Sequence, residues 1–214
     1  PETGFMRPRR SDGEFEELVE VEWSDPYVEG NAWQYTFLVP HDPDGLATLF
    51  GGADELVEKL DEFFFQSLAW TPDYLPADYY WHGNEPDIHT PFLYAAIGHP
   101  DKTGQWANWV REEHYSDTPS GLAGNDDGGT LSSWVVFASM GLYPLNATVD
   151  YVLTPPVFDE VVLQRPQGPL RITAQGSGTQ LEGVWIDGEL WEAPRIDHHT
   201  LAQTSHLHFE RRGN

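Results

Sequence analysis

The apolar pattern of this chain changes its period near residue 146, and that change constrains the fold more than any other feature. Before it, apolar residues recur at helical spacing. Ala53–Leu68 places Leu56, Leu60, Phe63, Phe64 and Leu68 near i, i+4, i+7, i+8 and i+12, with Asp54 as the expected cap. Pro86–Gly98 carries Ile88, Phe92, Leu93 and Ala96 inward, with Pro in its first turn, Gly98 at its end and Pro100 beyond. Lys102–His114 has Trp106, Trp109 and Val110 as a stripe. Leu131–Met140 is apolar and stops at Gly141, with Pro144 forbidding continuation. Leu46–Gly51 is a shorter helical piece, and Asn31–Leu38 fits a helix or a strand. After residue 146 the runs shorten. Tyr151–Leu153, Val161–Leu163, Leu170–Thr173, Gly183–Ile186 and Leu207–Phe209 are separated by Gly and Pro and read as strands of an antiparallel sheet. The expected class is α+β, with helices over residues 1–145 and a β-sandwich-like region over 146–214.

Helices joined by long loops suggest an α/α toroid, whose loops gather at one end. About five helices make only part of such a barrel, and an unclosed barrel exposes apolar surface that soluble proteins rarely tolerate. The remaining helices are therefore expected in another segment. The opening, Pro1–Arg10, has neither an initiator Met nor an apolar leader core, which reads as a chain lying inside a longer protein.

Three turns between these elements carry chemistry. Each combines Gly, Asn and an acid among aromatic residues: Tyr27–Tyr35 (YVEGNAWQY) with Glu29, His82–Pro86 (HGNEP) with Glu85, and Gly124–Gly129 (GNDDGG) with Asp126 and Asp127. Carboxylates and amides suit sugar hydroxyls, and aromatic rings suit sugar C–H faces. A Glu desolvated by neighbouring aromatic rings has a raised pKa and stays protonated, ready to donate to a leaving oxygen. The alternative for Glu29 is a side chain capping its own loop amides. An ionised Asp in a polar loop can deprotonate water, whereas Asn, Asp and Gly are also ordinary turn residues. His82, Asn84 and Glu85 offer oxygen-rich donors suited to Ca²⁺, which takes six to eight oxygens. His82 and His89 lack the spacing of a helical zinc pair, and His198, His199, His206 and His208 read as surface histidines. Two carboxyls in acid and base roles are the minimum for a glycoside hydrolase.

Composition excludes several partners. The net charge is −24, from 35 acidic and 11 basic residues, with lysine only at Lys59 and Lys102. Such a surface repels nucleic acid and anionic membranes. Its scattered acids suit a protein adapted to high salt better than one whose acids are all cation ligands. With no cysteine, disulfides and thiolate metal sites are excluded, and no apolar run approaches the ~20 residues of a membrane span.

The motifs resemble the calcium-dependent α-mannosidases of glycoside hydrolase family 92. GFMRPR (Gly4–Arg9), YVEGNAWQYTF (Tyr27–Phe37), VPHDPDGLATLFGG (Val39–Gly52), HGNEP, GLAGNDDGGTLSSWVVFASMGLYPLN (Gly121–Asn146) and YVLTPPVFDEVVL (Tyr151–Leu163) all look like that family. The resemblance implies an inverting exo-α-mannosidase with an (α/α)6 catalytic barrel, preceded by a β-sandwich, and a Ca²⁺ ion that binds the terminal mannose hydroxyls. It implies Glu29 as general acid, with Glu85 as its competitor, and Asp127 as general base with Asp126 beside it. Asn84 and Glu85 fall at the metal, with Trp33, His82, Glu85 and Asn125 as substrate-binding residues. It also implies a mannose-containing glycan as substrate, a missing N-terminal part of the same enzyme as partner, inactivity of the chain alone, and a secreted, periplasmic or cell-surface location. Gly128 stands where the family usually has Cys, and Tyr79–Trp81 differ from its commonest pattern. A non-catalytic carbohydrate-binding module and another α/α-toroid glycosidase, of the glucosidase or trehalase kind, are the alternatives. Asn146-Ala147-Thr148 fits a glycosylation sequon.

Overall fold

The computed structural model describes residues 4–23, 27–69 and 77–213. They fall into two compact units, Pro1–Thr90 and Pro91–Asn214.

The first unit is built on α1 (Ala32–Thr36), α2 (Pro43–Phe50) and α3 (Ala53–Ser67). Asn31 caps α1 by accepting from the Gln34 N–H, and Asp42 caps α2 by accepting from Gly45. Gly51, in the left-handed region, ends α2. α3 follows the expected stripe and buries Leu56, Val57, Leu60, Phe63 and Phe64, each worth roughly 1.5–3 kcal/mol of apolar burial. Its N-cap is Gly52 rather than Asp54, which lies inside the first turn, where an acid still favours the positive end of the helix dipole. Around Phe63 the rings of Trp33, Phe37 and Tyr80 gather at 5.0–6.1 Å between centroids. Lys59 lays its ammonium 3.7 Å from the centre of the Trp33 ring, a cation–π contact.

The helix expected from Pro86 begins later. Pro86–His89 is turn, and α4 spans Thr90–Ala96. The delay has a local cause: the Asp87 side chain accepts from the Trp81 N–H, while the Asp87 carbonyl accepts from both the N–H and the hydroxyl of Thr90. These bonds close the turn on itself before the helix starts.

The second unit holds α5 (Pro100–His114), α6 (Thr130–Met140) and all the strands. The hydroxyl of Thr103 accepts from the Ala95 N–H and donates to the Pro91 carbonyl, so α5 is stitched into one rung of the α4 ladder. Gly104 brings α5 against the turn at residues 177–179; a Cβ there would stand 1.7 Å from the Thr179 carbonyl oxygen. Gly141 ends α6 in the left-handed region, as its sequence position predicts.

The strands are β1 (Leu142–Pro144), β2 (Asp150–Leu153), β3 (Glu160–Leu163), β4 (Leu170–Gly176), β5 (Gln180–Ile186), β6 (Glu189–Leu190), β7 (Arg195–Asp197) and β8 (His206–Arg212), with α7 (His198–Gln203) between the last two. They form a three-stranded sheet in the order β1-β2-β7 and a five-stranded sheet in the order β3-β4-β8-β5-β6. One pairing departs from the antiparallel expectation: β8 runs parallel to β4, from Arg171↔His206 to Gly176↔Arg211, while remaining antiparallel to β5. The core of this part gathers Leu142, Leu153, Leu170, Ile172, Val184, Ile196, Leu207 and Phe209. The chain is α+β. Among the described residues no helix is long and apolar enough to cross a membrane.

Candidate functional site

The first motif sits in the loop that enters α1. Glu29 has φ 51°, in the left-handed region that an L-residue adopts at a cost. Gly30 is packed so tightly that a Cβ would meet the Tyr35 ring at 2.8 Å and the Gln34 Oε1 at 3.0 Å. Asn31 is fully buried; besides capping α1, its Nδ2 donates to the Asp78 carbonyl at 2.7 Å. Gln34 donates to the carbonyls of Ala77 and Tyr79. The loop is clamped after Glu29 by these contacts and before it by the Tyr35 hydroxyl, which donates to the Val28 carbonyl, while the Glu29 side chain itself is exposed. The desolvation expected from nearby aromatic rings is not supplied by the described residues.

The second motif is tied to the first. Asn84, 4% exposed, donates its Nδ2–H to the Glu29 carbonyl, and its own backbone N–H and carbonyl close the turn through Trp81 and Asp87. Once the amide nitrogen is committed to Glu29, the Oδ1 of Asn84 is the atom left to accept, and no hydrogen bond reaches it among the described residues. Glu85 is exposed beside it. His82 is fully buried, its Nδ1 2.6 Å from the Tyr80 hydroxyl. Trp33, 2% exposed, packs between Phe5, Phe63 and Tyr79. Neither His82 nor Trp33 presents a face to solvent; as placed here, both are core rather than lining. Asp87 and His89 complete the buried shell behind the turn. Burial pushes the Asp87 carboxyl well above its usual range, against the opposing pull of the Trp81 N–H, and holds the His89 imidazole down to about 4 while its Nε2 donates to the Phe37 carbonyl.

The third motif leads into α6. Asp127 has φ 47° and opens a short 3-10 turn, Asp127–Gly129, in which Gly128 and Gly129 also have positive φ. Asp126 and Asp127 are held differently. The Asp126 carboxylate accepts from the Ser132 N–H at 2.9 Å, and its carbonyl accepts from Gly129 and Leu131, so it secures the start of α6. Asp127 contributes only its carbonyl, to the Thr130 hydroxyl, and its side chain is exposed, as is Asn125. Among the described residues four non-glycine residues have positive φ: Glu29, Asp127, Ala147 and Asp187. The last two turn the β1–β2 and β5–β6 hairpins, where such backbone is ordinary. Glu29 and Asp127 have no hairpin to explain theirs, and backbone held this way concentrates at functional sites.

Asn84 Oδ1 and the Glu85 carboxylate are oxygen donors of the kind Ca²⁺ takes, two of the six to eight such an ion needs. No group of three or more His, Cys, Asp or Glu that could hold a metal occurs among the described residues. The supporting roles of Asn31, Gln34 and Asp87 were missed in the sequence, where the only signal was polar residues inside otherwise apolar runs. The sequon residue Asn146 is exposed in the β1–β2 turn, and the Thr148 hydroxyl donates to the Leu145 carbonyl and accepts from the Asp150 N–H.

An α+β chain that presents strained acidic residues on clamped, glycine-flanked turns has the build of a catalytic segment. The chain belongs to glycosyl hydrolase family 92, whose catalytic domain it matches over residues 1–212. It is 33% identical over 143 residues to an uncharacterized secreted glycosidase of Arthroderma benhamiae, covering 67% of this chain and 17% of that protein. A family GH92 alpha-mannosidase from Bacteroides thetaiotaomicron superposes at a TM-score of 0.87 with 27% identity, over 100% of this chain and 29% of that one. The same enzyme has been solved in complex with mannoimidazole, at a TM-score of 0.84 and 25% identity over 98% of this chain and 30% of that one. A family GH92 inverting mannosidase from the same species gives 0.84 and 26% over 98% of this chain and 31% of that one. The chain therefore spans about a third or less of each of these relatives.

Proposed function

We propose that this chain carries catalytic residues of an inverting, Ca²⁺-dependent exo-α-mannosidase that removes terminal α-mannose from glycans. Family membership supports a glycoside hydrolase, and the mannosidases among the similar structures, one of them in complex with mannoimidazole, support mannose as the sugar. The observation that carries the assignment of residues is the left-handed backbone shared by Glu29 and Asp127 outside any hairpin.

In this reading Glu29 is the general acid and gives its proton to the departing glycosidic oxygen. Asp127 is the general base and takes a proton from the attacking water, so that the anomeric configuration inverts. Asp126 fixes the loop from which Asp127 projects. Asn125, exposed beside them, donates to sugar hydroxyls. Asn84 Oδ1 and Glu85 would hold the Ca²⁺, which supplies Lewis-acid binding of vicinal mannose hydroxyls when present. His82 and Trp33 act from beneath, by packing under the turns that bear these groups. The remainder of the active site belongs to other segments of the enzyme. The relative named as secreted supports a location outside the cytoplasm, and the charge of −24 supports work at high ionic strength, where self-repulsion is screened.

The test is mannose release from an unactivated α-mannoside by the whole enzyme, with the anomer followed by NMR. β-Mannose appearing first, and loss of turnover on chelation with rescue by Ca²⁺, are expected. Glu29→Gln is expected to lose roughly 10²–10⁴ in rate on poor leaving groups and far less on activated aryl mannosides. If Glu85→Gln shows that split instead, Glu85 is the acid.

A further inference from the structure

A cavity lies wholly in the Pro91–Asn214 unit. It holds about 390 Å³ and is walled by α5, α6, the β2–β3 connection, the β4–β5 turn and β8. That volume falls in the range of small-molecule sites, roughly 300–1,000 Å³. Its charged lining is two arginines against one acid in a chain that is otherwise strongly acidic: Arg111 from α5 and Arg211 from β8, with Asp159 between β2 and β3, alongside Asn108 and Ser177.

The two guanidinium groups are held unequally. Arg211 has a side chain only 10% exposed. Its Nη1 donates to the carbonyls of Pro156 and Val157, and its Nη2 to Asp159 Oδ1 at 2.5 Å. Asp159 is 86% exposed and stands largely in water. The Arg211 Nε–H is buried and has no acceptor. An unsatisfied donor on a buried charge is costly and calls for an explanation. Arg111 donates to Asn108 Oδ1, and no carboxylate pairs with it among the described residues. Burial lowers its proton affinity, against the opposing pull of the neighbouring Glu112 carboxylate. Most other arginines of known setting are committed: Arg171 to Glu160, Arg212 to Asp101, and Arg165 to the carbonyls of Gly168, Leu201 and Thr204.

We propose that this cavity binds a compact organic carboxylate of monosaccharide size. The carboxylate would accept from the idle Arg211 Nε–H and from the Arg111 fork, since paired N–H groups match a carboxylate in two parallel bonds. The body of the ligand would meet Asn108 and Ser177 through hydroxyls. Long-range repulsion from the net negative surface fades beyond ~8 Å at physiological ionic strength, so the lining charges, two arginines against Asp159, leave the site net positive.

The experiment titrates the whole protein with glucuronate, with glucose as the neutral control, at low and high NaCl, by calorimetry and by NMR of the arginine Nε–H signals. Saturable glucuronate binding that shifts the Arg111 and Arg211 signals and weakens with salt is expected, with no shift from glucose. Arg111→Gln, which removes the hydrogen bond to Asn108, is expected to weaken binding roughly tenfold or more while circular dichroism stays unchanged. Asp159→Asn, which removes the competing acid, is expected to keep or tighten it. Equal binding of glucose, no saturation by glucuronate, or an Arg111→Gln affinity within twofold of the parent overturns the proposal.

Discussion

The side-chain amide of Asn84 donates to the backbone carbonyl of Glu29, so the HGNEP turn holds the neighbouring acidic turn by its main chain. The bond reaches across 55 residues of sequence and fixes the peptide plane next to the residue with left-handed backbone. Asn84→Asp replaces the donor with a second acceptor and keeps an oxygen for the cation. The expected loss is about 1–3 kcal/mol of stability, read from urea unfolding, together with slower mannoside hydrolysis. An unchanged midpoint would show that the bond does not hold the turn.

The left-handed backbone at Glu29 and Asp127 has its own signature. Glycine escapes the Cβ clash, worth roughly 1–2 kcal/mol, but loses about 0.5–1 kcal/mol through the extra freedom of its unfolded chain. Glu29→Gly and Asp127→Gly are therefore each expected to stabilise by about 0.5–1 kcal/mol while abolishing turnover. Denaturation curves that show both variants less stable than the parent would mean that no strain is held there.

Asp126 and Asp127 are expected to separate in mutation. Asp126→Ala removes the acceptor for the Ser132 N–H and should lower stability by about 1 kcal/mol, as loss of a capping side chain does, with partial activity remaining. Asp127→Asn should leave the melting temperature within a degree or two and abolish turnover for every leaving group. Calorimetry paired with steady-state rates distinguishes the two; a stable, active Asp127→Asn enzyme removes Asp127 from the chemistry.

Acid should destabilise the protein through buried histidines. Burial holds both His89 and His114 down to about 4, against the ordinary 6.5. Between those values the unfolded chain takes up protons that the folded chain refuses, so stability is full above about pH 6.5 and falls as pH drops toward 4. His89 alone accounts for about 3 kcal/mol across that window. In His89→Gln the amide nitrogen can still donate to the Phe37 carbonyl, and the slope of melting temperature against pH should flatten. A slope unchanged in that variant would place the acid sensitivity elsewhere.

The parts of this fold legible in the sequence are those set by local pattern. The α3 stripe and the Gly141 stop needed only the spacing of apolar residues and a glycine in the left-handed region. The start of α4 is not legible, because the decisive contact, the Asp87 side chain on the Trp81 N–H, joins two sides of a turn and leaves no periodic trace. The parallel β4–β8 pairing was hidden for a similar reason: strands of seven residues state their own alternation but not their neighbour. At the candidate site, glycine and asparagine beside each acid pointed to sharp backbone, which the positive φ of Glu29 and Asp127 bears out. Burial was not legible. Trp33 reads as well for a sugar platform as for a core, and only the rings packed around it decide for the core.

Because β8 lies between β4 and β5, the five-stranded sheet has a keystone. Before residues 206–212 leave the ribosome, the nascent chain holds only two disconnected hairpins, β3–β4 and β5–β6, each with a bare edge open to pairing with other chains. A stalled or clipped product ending short of His206 would then be prone to misassembly, its two hairpins left without the strand that joins them.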